Sequence, residues 1–215
     1  MKVKWLAHSC FMITSEGGTR IITDPYATGN GLTYGDVKES AEVVTTSHDH
    51  FDHNNVGAVK GQPQVVKSVG QHTAAGIEFL GVATAHDDSH GSVRGPNVVF
   101  AFTVDGVRLC HCGDLGHTLT PEQAAEIGPI DVLLVPVGGT YTLDAVDALH
   151  TVSSLKPRMV IPMHFKTQGC GLPIAGVEDF IKGQLNVRHV SASEIDINSG
   201  NLSPVCQTAV LTPAL

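Results

Sequence analysis

Residues 47–53 read Ser-His-Asp-His-Phe-Asp-His and directly follow an apolar run that we predict to be a strand. Residues two apart in an extended chain point the same way, so His48 and His50 can bind one cation. If the backbone then turns into a helix, Asp52 and His53 project from that turn and can bind a second cation close by. The segment therefore predicts a metal site held by a strand end and a helix start.

Further side chains that bind metals follow later apolar runs. His86, Asp114 and His164 each come after a run that we predict to be a strand. His90 lies four residues after His86 and is the alternative third imidazole. One aspartate can bridge two cations about 3.5–4 Å apart. The sequence therefore predicts a site for two divalent cations, assembled from separated strand ends.

The remaining pattern predicts a single α/β domain over residues 1–215, with two β-sheets and helices packed outside them. The predicted strands are residues 3–6, 10–13, 20–23, 43–46, 79–85, 98–104, 107–111, 132–135, 159–161 and 187–190. A capping box at Thr120 predicts a helix that ends at Gly128. Other helices are predicted at residues 143–155, where one apolar stripe recurs, at 177–181, and from Asn54 or Asn55 onward.

Composition disfavours several other classes of protein. Thirteen Lys and Arg against twenty-one Asp and Glu give a net charge of −8, so no overall positive field attracts nucleic acid or anionic lipid. No apolar stretch approaches the ~18 residues of a membrane helix, and no signal peptide is recognisable. Five scattered cysteines are too few for a disulfide scaffold. We therefore expect a cytoplasmic protein with no nucleic-acid or membrane partner.

The predicted ligands resemble the His-x-His-x-Asp-His signature of the metallo-β-lactamase superfamily, met here by His48, His50, Asp52 and His53. Its early aspartate, third histidine, bridging aspartate and last histidine resemble Asp24, His86, Asp114 and His164. The resemblance covers nearly the whole chain and implies a four-layer αββα sandwich with the metals at the sheet edge. It implies that one metal is held by His48, His50 and His86, the other by Asp52, His53 and His164, with Asp114 between them.

Further motifs resemble one branch of that superfamily, the small metal-dependent hydrolases related to the L-ascorbate phosphate lactonases. They are Trp5-Leu6-Ala7-His8-Ser9-Cys10-Phe11, Arg94-Gly95-Pro96-Asn97, Gly113-Asp114-Leu115-Gly116-His117, Pro136-Val137-Gly138-Gly139 and Pro162-Met163-His164. The glycine usual before the first-strand histidine in that branch is Ala7 here. The resemblance also implies a homo-oligomer.

The ligand set predicts a hydrolase that acts on a small molecule. Two divalent cations activate water and polarise a substrate oxygen, which suits cleavage of an ester, lactone or phosphoester. Ligands from His and Asp without thiolate suit Zn first, with Mn or Fe as alternatives. Asp52 can orient the water while ligating, and His8 or His117 is the candidate acid for the leaving group.

Four other side chains are candidates around the site. Asp24 can orient a ligand histidine, or can simply form a turn before Pro25. Arg94 can bind an anionic substrate through its guanidinium group, or can form a structural salt bridge. Asn97 and Tyr141 are candidates to support the site or contact the substrate.

The sequence leaves two alternative functions open, and it gives several cysteine and histidine residues no metal-binding role. The alternatives are a metal-loaded binding or regulatory protein without turnover, and a phosphodiesterase acting on nucleic acid or nucleotides, which the acidic balance disfavours. Cys110-His111-Cys112 lacks a second cysteine pair and predicts a strand rather than a metal site. His72, His150 and His189 have no partners in sequence and are expected to be ordinary surface or core residues.

Overall fold

Fourteen strands and three short α-helices make up the fold, and the computed structural model describes all residues from 1 to 215. The strands are β1 (Lys2–Ala7), β2 (Cys10–Thr14), β3 (Arg20–Thr23), β4 (Val43–Thr45), β5 (Gln64–Val66), β6 (Gly70–Ala74), β7 (Ile77–Ala85), β8 (Pro96–Val104), β9 (Val107–His111), β10 (Val132–Pro136), β11 (Met159–Met163), β12 (Val187–His189), β13 (Glu194–Asp196) and β14 (Gln207–Val210). The helices are α1 (Pro121–Ile127), α2 (Ala145–Leu155) and α3 (Glu178–Ile181).

The strands form two sheets that face each other. One sheet has the order β13-β1-β2-β3-β4-β5, and the other has the order β12-β14-β11-β10-β9-β8-β7-β6. Phe11 on β2 meets His111 on β9 edge to face, with ring centroids 6.2 Å apart. The facing apolar side chains form one continuous core, whose removal from water is the main favourable contribution to folding. The predicted α/β sandwich with two sheets is confirmed.

All three helices pack on the second sheet or on each other. Helix α1 contacts β7, α2 contacts β10, and α3 contacts α2. The side of the first sheet that faces away from the second is covered by the long loop between β3 and β4. Tyr26 and Tyr34 from this loop pack with Ile22 and Val44 of that sheet in a second apolar cluster. The outer layer on the first sheet is therefore built largely from loop.

The helix predicted from Asn54 or Asn55 is wrong, since the chain forms only a single 3-10 turn at Val56–Ala58. The Asn55 side chain does not cap this turn, because its Nδ2 donates a hydrogen bond to the carbonyl oxygen of Tyr26 at 3.1 Å. Gly57 lies within the turn and disfavours a longer helix. Asp52 and His53 therefore project from a turn rather than from a helix start.

The other predicted helices form with small changes of boundary. The capping box is confirmed, because Thr120 Oγ1 accepts a hydrogen bond from the Gln123 N–H and the Gln123 side chain accepts one from the Thr120 N–H. Helix α2 begins two residues later than predicted because the Asp144 side chain caps it. Its buried face is Ala148, Thr151 and Leu155, so the predicted apolar stripe is wrong at Val146, which is 59% exposed.

The strands that precede the candidate site residues all run in the same direction. In the first sheet β3, β4 and β5 are parallel, and β1 shares their direction because β2 pairs antiparallel with both β1 and β3. In the second sheet β9, β10 and β11 are parallel, and β7 shares their direction through β8. The carboxyl ends of such strands meet at one edge, where ligands of α/β sheets commonly bind.

Candidate metal centre

The carboxylate of Asp114 lies at the centre of the converging strand ends. Its Oδ2 atom is 3.1 Å from Nε2 of His53, 3.2 Å from Nε2 of His86 and 3.4 Å from Nε2 of His164. Two donors bound about 2.0–2.1 Å from one tetrahedral ion lie about 3.3–3.4 Å apart. The separations therefore suit side chains that share cations, and all four side chains are buried.

Besides the trio His48, His53 and Asp114, the donor atoms around this carboxylate fall into two groups whose members lie within 4.8 Å of one another. The first group consists of His48, His50 and His86. The second group consists of His8, Asp52, His53 and His164. These are the two sets implied by the resemblance, with His8 added to the second.

The residues present fit divalent cations. Nε2 of His53 and Oδ1 of Asp114 are buried and make no hydrogen bond. A buried polar group without a partner costs about 1–3 kcal/mol, and a bound cation would satisfy both atoms. The imidazole and carboxylate donors, with no thiolate among them, are those that suit zinc, manganese or iron.

The electrostatics favour unprotonated imidazoles at His48 and His8 and an ionised carboxylate at Asp114, whereas they favour a protonated ring at His53. Burial lowers the pKa of His48 to about 3 and, together with neighbouring His164, lowers the pKa of His8 to about 4. Burial opposes ionisation of Asp114, but the imidazoles of His164 and His53 hold its pKa well below the usual range. Burial also disfavours the charged form of His53, yet the carboxylates of Asp114 and Asp24 raise its pKa well above the usual value.

Asp24 supports the centre from behind. Its Oδ2 lies 2.8 Å from Nδ1 of His53, and it accepts two hydrogen bonds from Ser47, one from the main chain at 2.7 Å and one from the hydroxyl at 2.6 Å. The same Ser47 hydroxyl lies 2.9 Å from Nδ1 of His48. Asp24 therefore orients His53 directly and His48 through the Ser47 hydroxyl. One buried carboxylate thus positions a histidine in each donor group.

Three site residues lie in the left-handed region of backbone conformation, directly after a strand. The φ angles are 54° for His8, 41° for Asp24 and 51° for His164. Such angles are uncommon for residues other than glycine and cost about 1–3 kcal/mol each. The His164 N–H donates a hydrogen bond to the carbonyl oxygen of His8 at 3.2 Å, and Trp5 Nε1 donates to the same oxygen at 2.9 Å. These bonds hold the turn at His8, after β1, against the turn at His164, after β11.

Asn97 supports the loop that carries Asp114 rather than facing the cavity. Its Oδ1 accepts a hydrogen bond from the Asp114 N–H at 3.0 Å, and its Nδ2 donates to the Cys112 carbonyl at 2.9 Å. Gly113 lies between them with φ 54°, and a Cβ there would overlap Ser47 and the Asn97 side chain. The glycine allows the chain to bring Asp114 against the histidine segment.

The structure keeps several histidines outside the centre. His117 has both ring nitrogens bonded to main chain, with Nε2 accepting from the Ala85 N–H and Nδ1 donating to the Thr118 carbonyl. His90 is exposed, whereas His86 is buried beside Asp114. The exposed or half-buried histidines away from the site are His72, His150 and His189.

The Cys110-His111-Cys112 segment is a strand and its end, as predicted. Both cysteines are free thiols buried in the hydrophobic core. His111 is also buried, and its Nε2 donates a hydrogen bond to the carbonyl oxygen of Ser9 at 2.8 Å. Neither group of metal donors includes a cysteine.

A cavity of about 510 Å³ opens over the metal centre. Besides candidate ligands it is lined by Asp49, Phe51, Arg94, Tyr141 and Leu172, so it combines apolar walls with one cation and one further carboxylate. The Arg94 guanidinium carbon lies 5.6 Å from the centroid of the Tyr141 ring. Phe51 and Leu172 lie outside the predicted site residues, and the one sequence signal for Phe51 is its position inside the metal-binding segment 47–53.

Comparisons with known proteins agree with this geometry. Residues 2–164 match the family model described as the β-lactamase superfamily domain. UPF0173 metal-dependent hydrolases from Pelotomaculum thermopropionicum and Pyrococcus furiosus are 32% and 31% identical, and each match covers 78% of this chain and 85% of the relative. A crystal structure from Thermotoga maritima, assigned as a Zn-dependent hydrolase of the metallo-β-lactamase superfamily, is 36% identical with a TM-score of 0.81. That match covers 98% of this chain and 97% of the other.

The fold and its site define a metal-dependent hydrolase of the metallo-β-lactamase superfamily. Within that class, the chain belongs to the UPF0173 family of metal-dependent hydrolases. None of its helices has the length and apolar character needed to span a bilayer.

Proposed function

We propose that this chain binds two divalent cations, with zinc favoured over manganese or iron, and hydrolyses an ester, lactone or phosphoester of a small molecule. The observation that carries the proposal is the position of Asp114 Oδ2, 3.1, 3.2 and 3.4 Å from histidine nitrogens that belong to two donor groups. A carboxylate between two groups of donors suits a pair of neighbouring cations.

In this proposal His48, His50 and His86 hold one cation, Asp52, His53 and His164 hold the other, and Asp114 contacts both. Bound cations would supply an activated water and would polarise the substrate oxygen under attack. The chain's own contribution is to orient these groups and to line a cavity that takes a small substrate.

Asp52 is the proposed residue that orients the attacking water. Its Oδ2 lies 3.3 Å from Nε2 of His8 and 3.8 Å from Nε2 of His53, on the same side of the centre. Between the two candidate acids the geometry favours His8, because both nitrogens of His117 are bonded to main chain. We assign to His8 the orientation of Asp52, because its Nε2–H can donate a hydrogen bond to that carboxylate oxygen.

We further propose that residues 1–215 act as one domain in the cytoplasm. The net charge of −8 disfavours a polyanionic nucleic acid as substrate. Arg94 and Tyr141 at the cavity wall are the proposed substrate contacts, and Asp24 and Asn97 are the proposed supports.

The experiment is metal removal and reloading with zinc, manganese or iron, followed by ion counting and assays on lactones, carboxylic esters and phosphodiesters. Two ions per chain are expected, with hydrolysis lost on chelation and restored on reloading. His48→Ala and Asp114→Ala should lose metal and turnover together. Hydrolysis that survives full demetallation would contradict the proposal. Tight binding of a panel compound without conversion would instead support a binding or regulatory protein.

A further inference from the structure

Arg94 is held in a fixed position at the wall of the metal cavity by contacts that leave its charge unpaired. Its Nη2 donates a hydrogen bond to the Thr140 carbonyl at 3.2 Å, and its guanidinium group lies over the Tyr141 ring. No carboxylate forms an ion pair with it, whereas Arg20 pairs with Glu42. A half-buried, oriented guanidinium group without an acidic partner is suited to bind an anion.

The loop that carries Arg94 is organised by the buried carboxylate of Asp87. Asp87 accepts four main-chain hydrogen bonds of 2.7–3.0 Å, from Ser89, Gly91, Val93 and Arg94 itself. The bond from the Arg94 N–H is the shortest, at 2.7 Å. The loop backbone at Arg94 is therefore already ordered before a ligand binds.

A second unpaired cation lies at the same edge of the sheets. Lys67 directly follows β5, which is parallel to β4, so it lies beside the strand end that leads to His48. It is exposed and makes neither an ion pair nor a side-chain hydrogen bond. Asp49, the carboxylate nearest Lys67 and Arg94 in this part of the edge, accepts a hydrogen bond from Asn54 Nδ2 at 2.9 Å and pairs with neither cation. Four further carboxylates line a separate pocket on another side of Arg94 and form no ion pair with it: Asp87, Asp88, Asp144 and Asp147.

Lys67 and Arg94 line one groove of about 400 Å³, here called the cationic groove. The cationic groove shares Asp49, His50 and Arg94 with the larger metal cavity, so the two spaces adjoin along one wall. A single molecule can therefore occupy both, with one end at the candidate metal ligands and the other between Lys67 and Arg94.

We propose that the cationic groove is an anion subsite, and that the substrate carries a phosphate or carboxylate there while its scissile bond lies in the metal cavity. The inference rests on the proposed hydrolase function and specifies the substrate class as an anionic ester, lactone or phosphoester. Arg94 binds the anion in a fork of two N–H donors, and Lys67 adds a point charge.

The first test uses metal-free protein, so that cations in the metal centre do not contribute to anion binding. Inorganic phosphate and acetate are titrated separately while the amide and guanidinium signals of Lys67 and Arg94 are followed by ¹⁵N NMR. Saturable shifts at both residues are expected, and the stronger of the two probes identifies the anion. The shifts should vanish in the double variant Arg94→Gln, Lys67→Ala and persist in Lys182→Ala, which removes an exposed lysine elsewhere. Absence of saturable shifts in the unsubstituted protein would overturn the inference.

The second test compares turnover of one ester or lactone in three forms, carrying a phosphate, a carboxylate or a neutral hydroxyl away from the scissile bond. Arg94→Gln and Lys67→Ala should each lower kcat/KM for the preferred anionic form about tenfold through KM and should lower it much less for the neutral form, whereas Lys182→Ala should change neither. Equal losses on all three forms would assign both residues a structural role. Equal turnover of all three forms by the unsubstituted protein would overturn the anion subsite but not the hydrolase, whereas failure to bind metal would overturn the hydrolase itself.

Discussion

Oδ2 of Asp24 lies 2.8 Å from Nδ1 of His53, and both side chains are completely buried. A carboxylate in this position fixes the ring orientation of a histidine and directs its other nitrogen towards a metal. Here that nitrogen, Nε2, faces Asp114 at 3.1 Å. The pair therefore connects the turn after β3 with the proposed second cation.

Replacing Asp24 by asparagine removes this charge while keeping the size of the side chain. We expect Asp24→Asn to weaken binding of the cation held by His53 about 10–100-fold, because the amide no longer holds the ring in its binding orientation. Competition with a coloured chelator measures the affinity of each ion. Asp179→Asn, at an exposed carboxylate, should bind both ions normally. Unchanged affinities in Asp24→Asn would mean that Asp24 only shapes the turn.

The choice between His86 and His90 can be tested by removing each imidazole. His86 lies 3.2 Å from Asp114 and completes the first donor group, whereas His90 is exposed. His86→Ala should therefore retain only one ion per chain after dialysis, measured by mass spectrometry of the metal content. His90→Ala should retain both, and the reverse pattern would assign the third imidazole to His90.

Replacing His8 should lower kcat while leaving the number of bound ions unchanged. Since its Nε2 lies 3.3 Å from Asp52 Oδ2, we expect His8→Ala to lower kcat about 100-fold or more while two ions stay bound. His8→Gln, which can still donate a hydrogen bond to that oxygen, should recover part of the loss. His117→Ala is the matched control and should lose about 1 kcal/mol of stability, with kcat retained, because its imidazole bonds only to main chain. A normal kcat in His8→Ala would contradict the proposed role.

The sequence could predict the site because its residues follow apolar runs that form strands under almost any packing. The runs before His86 and His164 are β7 and β11, and the buried segment before His48 is β4. Their shared direction depends on pairings between distant segments, which no local pattern contains. For the same reason Lys67 was not singled out, since β5 is three residues long, mostly exposed and without an apolar run.

The missing helix after His53 shows where local reasoning fails. Asn55 has the chemistry of a cap, but its side-chain amide bonds to the Tyr26 carbonyl, 29 residues earlier in the chain. Helix α2 shows the same limit, since its buried face depends on the sheet beneath it rather than on the spacing of its apolar residues. Capping at Thr120 could be predicted because the partner Gln123 lies within the same turn.

His111 provides a pH-dependent prediction outside the metal centre. Its Nε2 donates to the Ser9 carbonyl at 2.8 Å and its Nδ1 accepts from the Gly113 N–H at 3.2 Å, so the folded protein holds it neutral. Burial lowers its pKa below the usual 6.5. Its contribution to stability is therefore fully present above about pH 6.5 and is lost as the pH falls towards the folded-state pKa, because the unfolded chain binds the proton first.

We therefore expect the free energy of urea unfolding of metal-free protein to decrease between pH 7.5 and about pH 5.5, partly through His111. His111→Gln keeps a donor for Ser9 but cannot take up a proton in the unfolded chain. The unfolding free energy of this variant should therefore decrease less than that of the unsubstituted protein. The difference should be at most about 1.4 kcal/mol for each pH unit below 6.5. His189→Gln, at an exposed position, is the matched control, and its unfolding free energy should decrease as that of the unsubstituted protein does. If His111→Gln shows the same decrease as well, then the buried imidazole takes up its proton without unfolding, and Ser9 and Gly113 do not enforce its neutral form.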